Sequence, residues 1–350
     1  MDFDILGFER EFQNKLVNKL ESVVRSSHWS GGKNIKSIEA KFSNLYNMHA
    51  ISCSSGGMAL EIISKVFNDI TKIGVQSNTY FASILPWINS NKELVLIGTE
   101  GNSLTPSLTI IKEAIDKGLD ALVLTHIGGY PIPEIIKIEK YCRDNNILLI
   151  EDCAHAPLTK IDGNLVGSFG DASILSFFPT KPIPAGEGGM LLIKSKKLAN
   201  KAFQIRDYGK IFKDSKTLHR LPAVSNGRLN EFSAAIVSVF LENYNYIYEK
   251  RKKICEFYNA SIPDNLIYQY NNNFDQDISF YKYITFLKSS KYEVSKVYDL
   301  ENQLYSILRD NDIKFIFIGE NPYGVEHLCL PVFPNMNNSH MKEIIKNIVF

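Results

Sequence analysis

Cysteine is scarce in this chain, five in 350 residues (Cys53, Cys142, Cys153, Cys255 and Cys329), odd in number and without paired spacing. That excludes a disulfide framework and offers no metal knuckle, so a reducing cytoplasm is the expected compartment. The seven histidines form no HxxxH or similar ligand spacing, and no metal site is expected. Excess charge is also missing: 39 Lys and Arg face 38 Asp and Glu. Nothing in that balance calls for nucleic acid or an anionic membrane as partner. No apolar run approaches the length of a membrane span. The N-terminus, MDFDILGFEREF, has early acids and no long apolar core, unlike a signal peptide.

What is present is a long chain with 45% hydrophobic residues, enough for a large core and two domains. Helical periodicity runs from Leu6 to Arg25 and again through Ile35, Ile38, Phe42 and Leu45. From residue 50 to 195, short apolar runs alternate with helical stretches, the βα signature of a mainly parallel sheet. The segment Lys210 to Val224 reads as a basic loop. A long helical stretch from Asn230 to about Tyr258 follows. Beyond it lie a strand (Tyr281 to Leu287), a helix (Val294 to Leu308), a strand (Lys314 to Ile318) and a terminal helix (Met341 to Val349). The boundary is placed at residue 240, with a large domain over 1–240 and a small α/β domain over 241–350.

The chain is organised around Ile147 to Met190. An apolar run, Ile147 to Ile150, ends in Glu151 and Asp152. A second, Ala172 to Phe178, carries Ser176 near its end and delivers Lys181 just past it. A carboxylate, a hydroxyl and a lysine at the ends of buried strands fit a site at the carboxyl edge of an α/β sheet. They also fit pyridoxal phosphate, which needs an amine to hold its aldehyde as a Schiff base and a carboxylate to keep its ring nitrogen protonated. Asp152 could instead cap a helix, and Lys181 could be a solvated surface lysine. Earlier, Ser54, Ser55, Gly56 and Gly57 lead into a helix. Small residues there let the backbone close on a phosphate, although an ordinary capped helix reads the same way.

EDCAHA, GSFGDASILSFFPTK and GEGGMLL together resemble the core of the DegT/StrS sugar aminotransferases, fold-type-I pyridoxal phosphate enzymes. The resemblance extends more weakly from about Gly31 to the C-terminus. It implies an α/β fold with a mainly parallel seven-stranded sheet flanked by helices and a smaller C-terminal α/β domain. Lys181 would be the lysine that binds the cofactor and moves the proton, Asp152 the partner of the ring nitrogen, and His155 a neighbour of the ring and its 3′ oxygen. Ser176, Gly56 and Gly57 would hold the phosphate. Tyr80 falls where an aromatic residue covers the ring, or it is a core tyrosine at a strand end. SNGRLNEFSAAI places Asn226 and Arg228 on a motif whose asparagine reaches the phosphate of the neighbouring subunit; Asn226 could also cap a helix. A homodimer with a shared active site follows. Glu39, the RDYGK step, His126 and Gly129 match further positions, the last two on the substrate side.

Four features depart from the family pattern. Gly57 replaces a threonine and Gln76 a proline. The family's H-x-Y step becomes Tyr281-Lys282-Tyr283, and the C-terminal loop IFIGENPYGVEHLCLP is short. The last two concern substrate. The implied reaction takes an amino group from an amino acid, foremost L-glutamate, to a ketosugar, usually nucleotide-linked, for surface polysaccharide or a glycosylated metabolite. A dehydratase of the same family would carry histidine in place of Lys181, and a cysteine desulfurase a histidine in place of Thr180. A regulatory protein that holds the cofactor without turning over is the remaining alternative.

Overall fold

The computed structural model describes residues 8–101, 103–263, 278–286, 307–308, 310–320 and 327–347. Two helices open the chain. α1 (Arg10–Ser26) stops where Ser27 turns left-handed, and α2 (Lys33–Tyr46) where Asn47 does. Ile35, Ile38, Phe42 and Tyr46 form one buried face of α2, as the 3.6-residue repeat dictates. The first turn of α2 is capped from far away. Buried Glu231 accepts from Asn34 N (3.0 Å), Asn34 Nδ2 (2.8 Å) and Ile35 N (3.0 Å), placing a carboxylate at the positive end of the helix.

The centre is a sheet. Its strands are β1 (His49–Cys53), β2 (Lys72–Gln76), β3 (Glu93–Ile97), β4 (Ala121–Thr125) and β5 (Leu148–Asp152). A small hairpin, β6 (Lys160–Ile161) and β7 (Asn164–Leu165), precedes β8 (Ala172–Ser176) and β9 (Gly189–Ile193). Later in the chain come β10 (Lys210–Lys213), β11 (Lys216–His219), β12 (Tyr283–Phe286), β13 (Phe315–Ile318) and β14 (His327–Leu330). Among the described residues, the main sheet has eight strands in the order β1-β9-β8-β5-β4-β2-β3-β13. Pairings from β8 through β13 are parallel; those of β9 with β8 and with β1 are antiparallel.

Helices cover both faces: α3 (Gly56–Val66), α4 (Leu85–Asn89), α5 (Leu108–Ile115), α6 (Ile135–Asp144), α7 (Lys196–Arg206) and α8 (Glu231–Glu242). The strands alternate accordingly. Leu122 and Leu124 of β4 join the core under α2, α5, α6 and α8, while Ala121 and Val123 join the core under α3, α4 and α7. Burial on both faces is why these strands read as continuous apolar runs. A third core gathers Ile254 and Tyr258 of α9 (Tyr244–Ser261), Tyr283, Ile284 and Leu330 of the β12–β14 pair, and Met341 and Ile344 of α10 (Asn338–Asn347). Among the described residues, no helix is long and apolar enough to cross a membrane.

Several expectations need correction. Eight strands stand where seven were expected, because β13 (Phe315–Ile318) adds in parallel beside β3, pairing Phe315 with Leu94 and Ile318 with Ile97. A strand from the 241–350 range therefore belongs to the large sheet. The stretch from Asn230 to Tyr258 is two helices that meet at Asn243, whose Nδ2 donates to Val239 O (2.8 Å) and so competes for a helix carbonyl. The loop expected over Lys210 to Val224 contains the β10–β11 hairpin. Its turn residues, Asp214 and Ser215, both have positive φ (51° and 59°), the geometry that matches the twist of a two-residue hairpin. The helix expected over Val294 to Leu308, except for its last two residues, Ile307 and Leu308, which are helical, and part of the short C-terminal loop lie outside the described residues.

Candidate active site

In chain order, β3 lies on one side of β2 and β4 on the other, so the direction of winding switches there. A crevice at the carboxyl ends of the strands follows from that switch. Gln76, Thr125, Asp152 and Ser176 end β2, β4, β5 and β8 at this edge.

Asp152 is 5% exposed, and both of its oxygens are held. Oδ1 accepts from Ala154 N (2.9 Å), and Oδ2 accepts from Ser83 Oγ (2.6 Å). The Ala154 contact closes a turn, not a helix, so the capping alternative falls. Ser83 sits in a short 3-10 turn before α4 and shares a hydroxyl chain with Thr79 (2.9 Å) and, through it, Thr125 (2.6 Å). Sequence reasoning missed Ser83. Its only local trace is the hydroxyl spacing of Thr79 and Ser83 beside Tyr80.

Lys181 follows β8 through a turn in which its N donates to Phe178 O (2.9 Å). It is partly buried and not a surface lysine. Its Nζ lies 3.4 Å from Tyr281 Oη and 4.6 Å from that ring's centroid. Burial lowers its pKa to about 8, against the pull of the Asp152 carboxylate, which favours the ammonium. The His155 ring packs against the same tyrosine at 4.4 Å between centroids, tilted by 33°. Burial first, then the charges of Lys181 and Lys282, hold its pKa well below the ordinary imidazole range. Its Nδ1 accepts from Gly128 N (3.2 Å), so the neutral ring carries its proton on Nε2.

The candidate phosphate cradle is built by close packing. A Cβ on Gly189 would stand 2.5 Å from Gly56 N, and one on Gly56 would stand 3.1 Å from Ser176 Cβ. Only glycines let the first turn of α3 approach the ends of β8 and β9 this closely. Ser55 caps α3 by accepting from Met58 N (2.9 Å), and the amides of Gly56 and Gly57 open the helix. Free N–H groups and the helix dipole make this end suited to an anion. Gly57 itself is not crowded: its nearest Cβ neighbour would be Ala82 Cβ at 3.8 Å.

Other candidates fall in different places. Tyr80 is 68% exposed on the turn that carries Ser83, so it is not a core tyrosine. Asn226 is exposed in a strand-like segment whose Gly227 O accepts from Ser54 N (2.9 Å). The cap of α8 is Asn230, not Asn226. Arg228 pairs with Asp207.

His126 is fully buried behind the site and not on a substrate face. Its Nδ1 accepts from Ile132 N (3.0 Å) and its Nε2 donates to Glu151 (2.9 Å), which also accepts from Gly167 N and Gly170 N. Those bonds occupy the His126 and Glu151 atoms that, with Cys153, would otherwise resemble a ligand cluster. Gln76 is buried and fastens β2 to β4, accepting from Thr125 N (3.2 Å) and donating to Asn78 O (3.0 Å). Glu39 accepts from Ser52 N and Arg206 Nη1 and ties α2 to β1 and α7. Tyr281, expected on the substrate side, stands against Lys181.

This donor set fits pyridoxal phosphate. An amine with a lowered pKa stands near a carboxylate fixed in direction, and a glycine-lined helix end meets a serine.

Comparisons agree with the geometry. A GDP-perosamine synthase from Vibrio cholerae is 29% identical, over 97% of this chain and 96% of its own length. A pleiotropic regulatory protein from Geobacillus stearothermophilus is 26% identical over 75% of this chain and 72% of its own length. Among solved structures, PseC of Helicobacter pylori, an aminotransferase involved in pseudoaminic acid biosynthesis, superposes with a TM-score of 0.84 at 20% identity, over 97% of this chain and 95% of its own. Spr1654 of Streptococcus pneumoniae in its PLP form gives 0.83 at 18% identity, over 99% and 97%. At such identities the structural likeness establishes the fold. The DegT/DnrJ/EryC1/StrS aminotransferase family model matches residues 10–317, and the chain belongs to that family.

Proposed function

We propose that this chain is a pyridoxal phosphate-dependent aminotransferase that moves an amino group from an amino acid, foremost L-glutamate, to a ketosugar carried on a nucleotide. The observation that carries this is the buried Lys181 amine, with its pKa lowered to about 8, beside the doubly held Asp152 carboxylate.

When bound, the cofactor supplies an electron sink for the pair left behind as a proton leaves the substrate carbon. The chain's own residues do the rest. Asp152 would hold a proton on the ring nitrogen. His155 would donate from Nε2 toward the ring oxygen. Ser176 and the first amides of α3 would bind the phosphate, and Tyr80 would lie against the ring. Lys181 Nζ would take the proton from the donor's Cα and later return it, as base and then acid, and would serve the sugar half-reaction in the same way. The nucleotide carrier is suggested by the name of the Vibrio cholerae relative, and the product serves surface polysaccharide or a glycosylated metabolite, in the cytoplasm.

The working assembly in this reading is a homodimer. Asn226 is exposed close to a hairpin that presents Phe212 and to the exposed Leu221, and it would reach the phosphate of a second copy. Residues 1–240 form the cofactor domain and 241–350 the small one, with β13 returning to the large sheet.

A second reading, a cofactor-binding regulator, is favoured by the name of the Geobacillus stearothermophilus relative. The visible spectrum of the purified protein separates the two. The transaminase gives an absorption band, lost in Lys181→Ala, that bleaches on adding L-glutamate. A band indifferent to every amino donor would sink the transaminase and leave the regulator.

A further inference from the structure

The residues Ser279 to Lys282 lie outside any strand, yet they are fastened to the loops around Lys181. Ser279 N donates to Thr159 Oγ1 (2.9 Å), and its hydroxyl donates to His155 O (2.6 Å). Arg251 of α9, 3% exposed, donates from Nη1 to Phe280 O (3.2 Å) and Val332 O (2.7 Å). Lys282 N donates to Gly128 O (3.0 Å). Phe280 itself has φ 48°, a left-handed conformation that a bulky residue keeps only where its surroundings over-determine it. A Cβ at Gly129 would come within 3.1 Å of Tyr281 N, so the segment packs directly on that glycine.

All of this fixes one side chain. Tyr281 is 7% exposed, with its hydroxyl 3.0 Å from Thr180 Oγ1 and 3.4 Å from Lys181 Nζ. The second distance is long, as contacts to catalytic groups commonly are before substrate arrives. The charged and titratable groups around Lys181 are Asp152 from the end of β5, His155 from the loop after it, Lys282 and Tyr281 from the fastened segment, and Arg251 from α9. Of these, Tyr281 alone has a hydrogen bond to the amine among the described residues.

We propose that Tyr281 is a positioning residue for Lys181: its phenol O–H donates to Thr180 Oγ1, and its oxygen accepts from Lys181 Nζ, which aims the lone pair of the amine at the carbon that loses its proton. The consequence for catalysis rests on the transaminase reading; the contact itself does not.

The test is Tyr281→Phe, which keeps the ring and removes the hydroxyl. In the cofactor-free chain, Lys181 is labelled with acetic anhydride across a pH series and read by peptide mass spectrometry. Without an oxygen to accept from the ammonium, the labelling midpoint moves to lower pH. In the cofactor-loaded protein, the half-reaction with L-glutamate slows about five- to tenfold, the scale of one hydrogen bond, with the donor KM within about twofold. Thr180→Val, nearly the same shape, slows it in the same sense if Tyr281→Phe fails to fold. An unchanged midpoint overturns the proposal, whether or not the protein transaminates. A shifted midpoint in a protein that never responds to amino donors upholds the contact and removes only its catalytic consequence.

Discussion

Asp152 is aimed by two donors, and one of them is a side chain that can be removed. Ser83→Ala deletes the 2.6 Å bond to Oδ2 and leaves the turn bond from Ala154. A hydrogen bond to a carboxylate contributes about 1.5 kcal/mol or more. Cofactor affinity is therefore expected to weaken about tenfold, measured by titrating the cofactor-free protein with pyridoxal phosphate and following the visible band. Lys181 gives a pH prediction. Its neutral amine is the attacking form, and burial brings its pKa down to about 8. Capture of pyridoxal phosphate should speed up about tenfold between pH 7 and 9 and then level off. A lysine titrating at its ordinary value would keep gaining past pH 10, and stopped-flow absorbance distinguishes the two. Lys181, Asp152, Ser176 and Gly56 were legible in the sequence because each ends a buried apolar run or opens a glycine turn. Ser83 was not, and Tyr281 was read on the substrate side without its contact to Lys181. They meet Asp152 and Lys181 from 69 and 100 residues away, and no local pattern records a contact made by folding.

At the level of elements, α2 depends on a carboxylate from α8. Glu231→Ala would leave two buried amides and the Asn34 side chain without their acceptor. The cost is expected at about 2–4 kcal/mol, seen as a lower urea midpoint with an unchanged slope. Glu231→Gln, which retains one acceptor oxygen, should lose less. The strands β4, β5, β8 and β9 were visible as apolar runs because strands covered on both faces, parallel or not, leave no polar side. The β10–β11 hairpin was hidden. Its strands, KIFK and KTLH, are mixed in character, and its turn is Asp-Ser where Asn-Gly or Asp-Gly would have announced it. β13 was seen as a strand but not as a member of the large sheet. A run such as FIFI declares a strand, and only the fold decides beside what; of the four, Ile318 alone is buried.

For the whole molecule, the proposed shared-site dimer makes a prediction that no single chain can meet. Lys181→Ala and Asn226→Ala proteins, each impaired alone, are mixed and allowed to exchange subunits. In a mixed dimer, one site collects both lesions and the other keeps both native residues. Recovery of the glutamate half-reaction is expected, and its absence after confirmed exchange would place Asn226 in its own subunit's site. The return of β13 to the main sheet bears on how the protein is made. Strand β3 is finished at Ile97, but its outer partner starts at Phe315. On a ribosome adding 5–20 residues per second, that edge waits roughly 10–40 s for its neighbour. Throughout the wait, its row of N–H and C=O groups is a template for another nascent chain. Lys92 and Glu93, charged at the head of the strand, are the sort of residues that discourage such pairing. Crowded polysomes and slow codons between these two strands would therefore raise the demand for chaperones, and the yield of the protein would be set by translation before chemistry has any part in it.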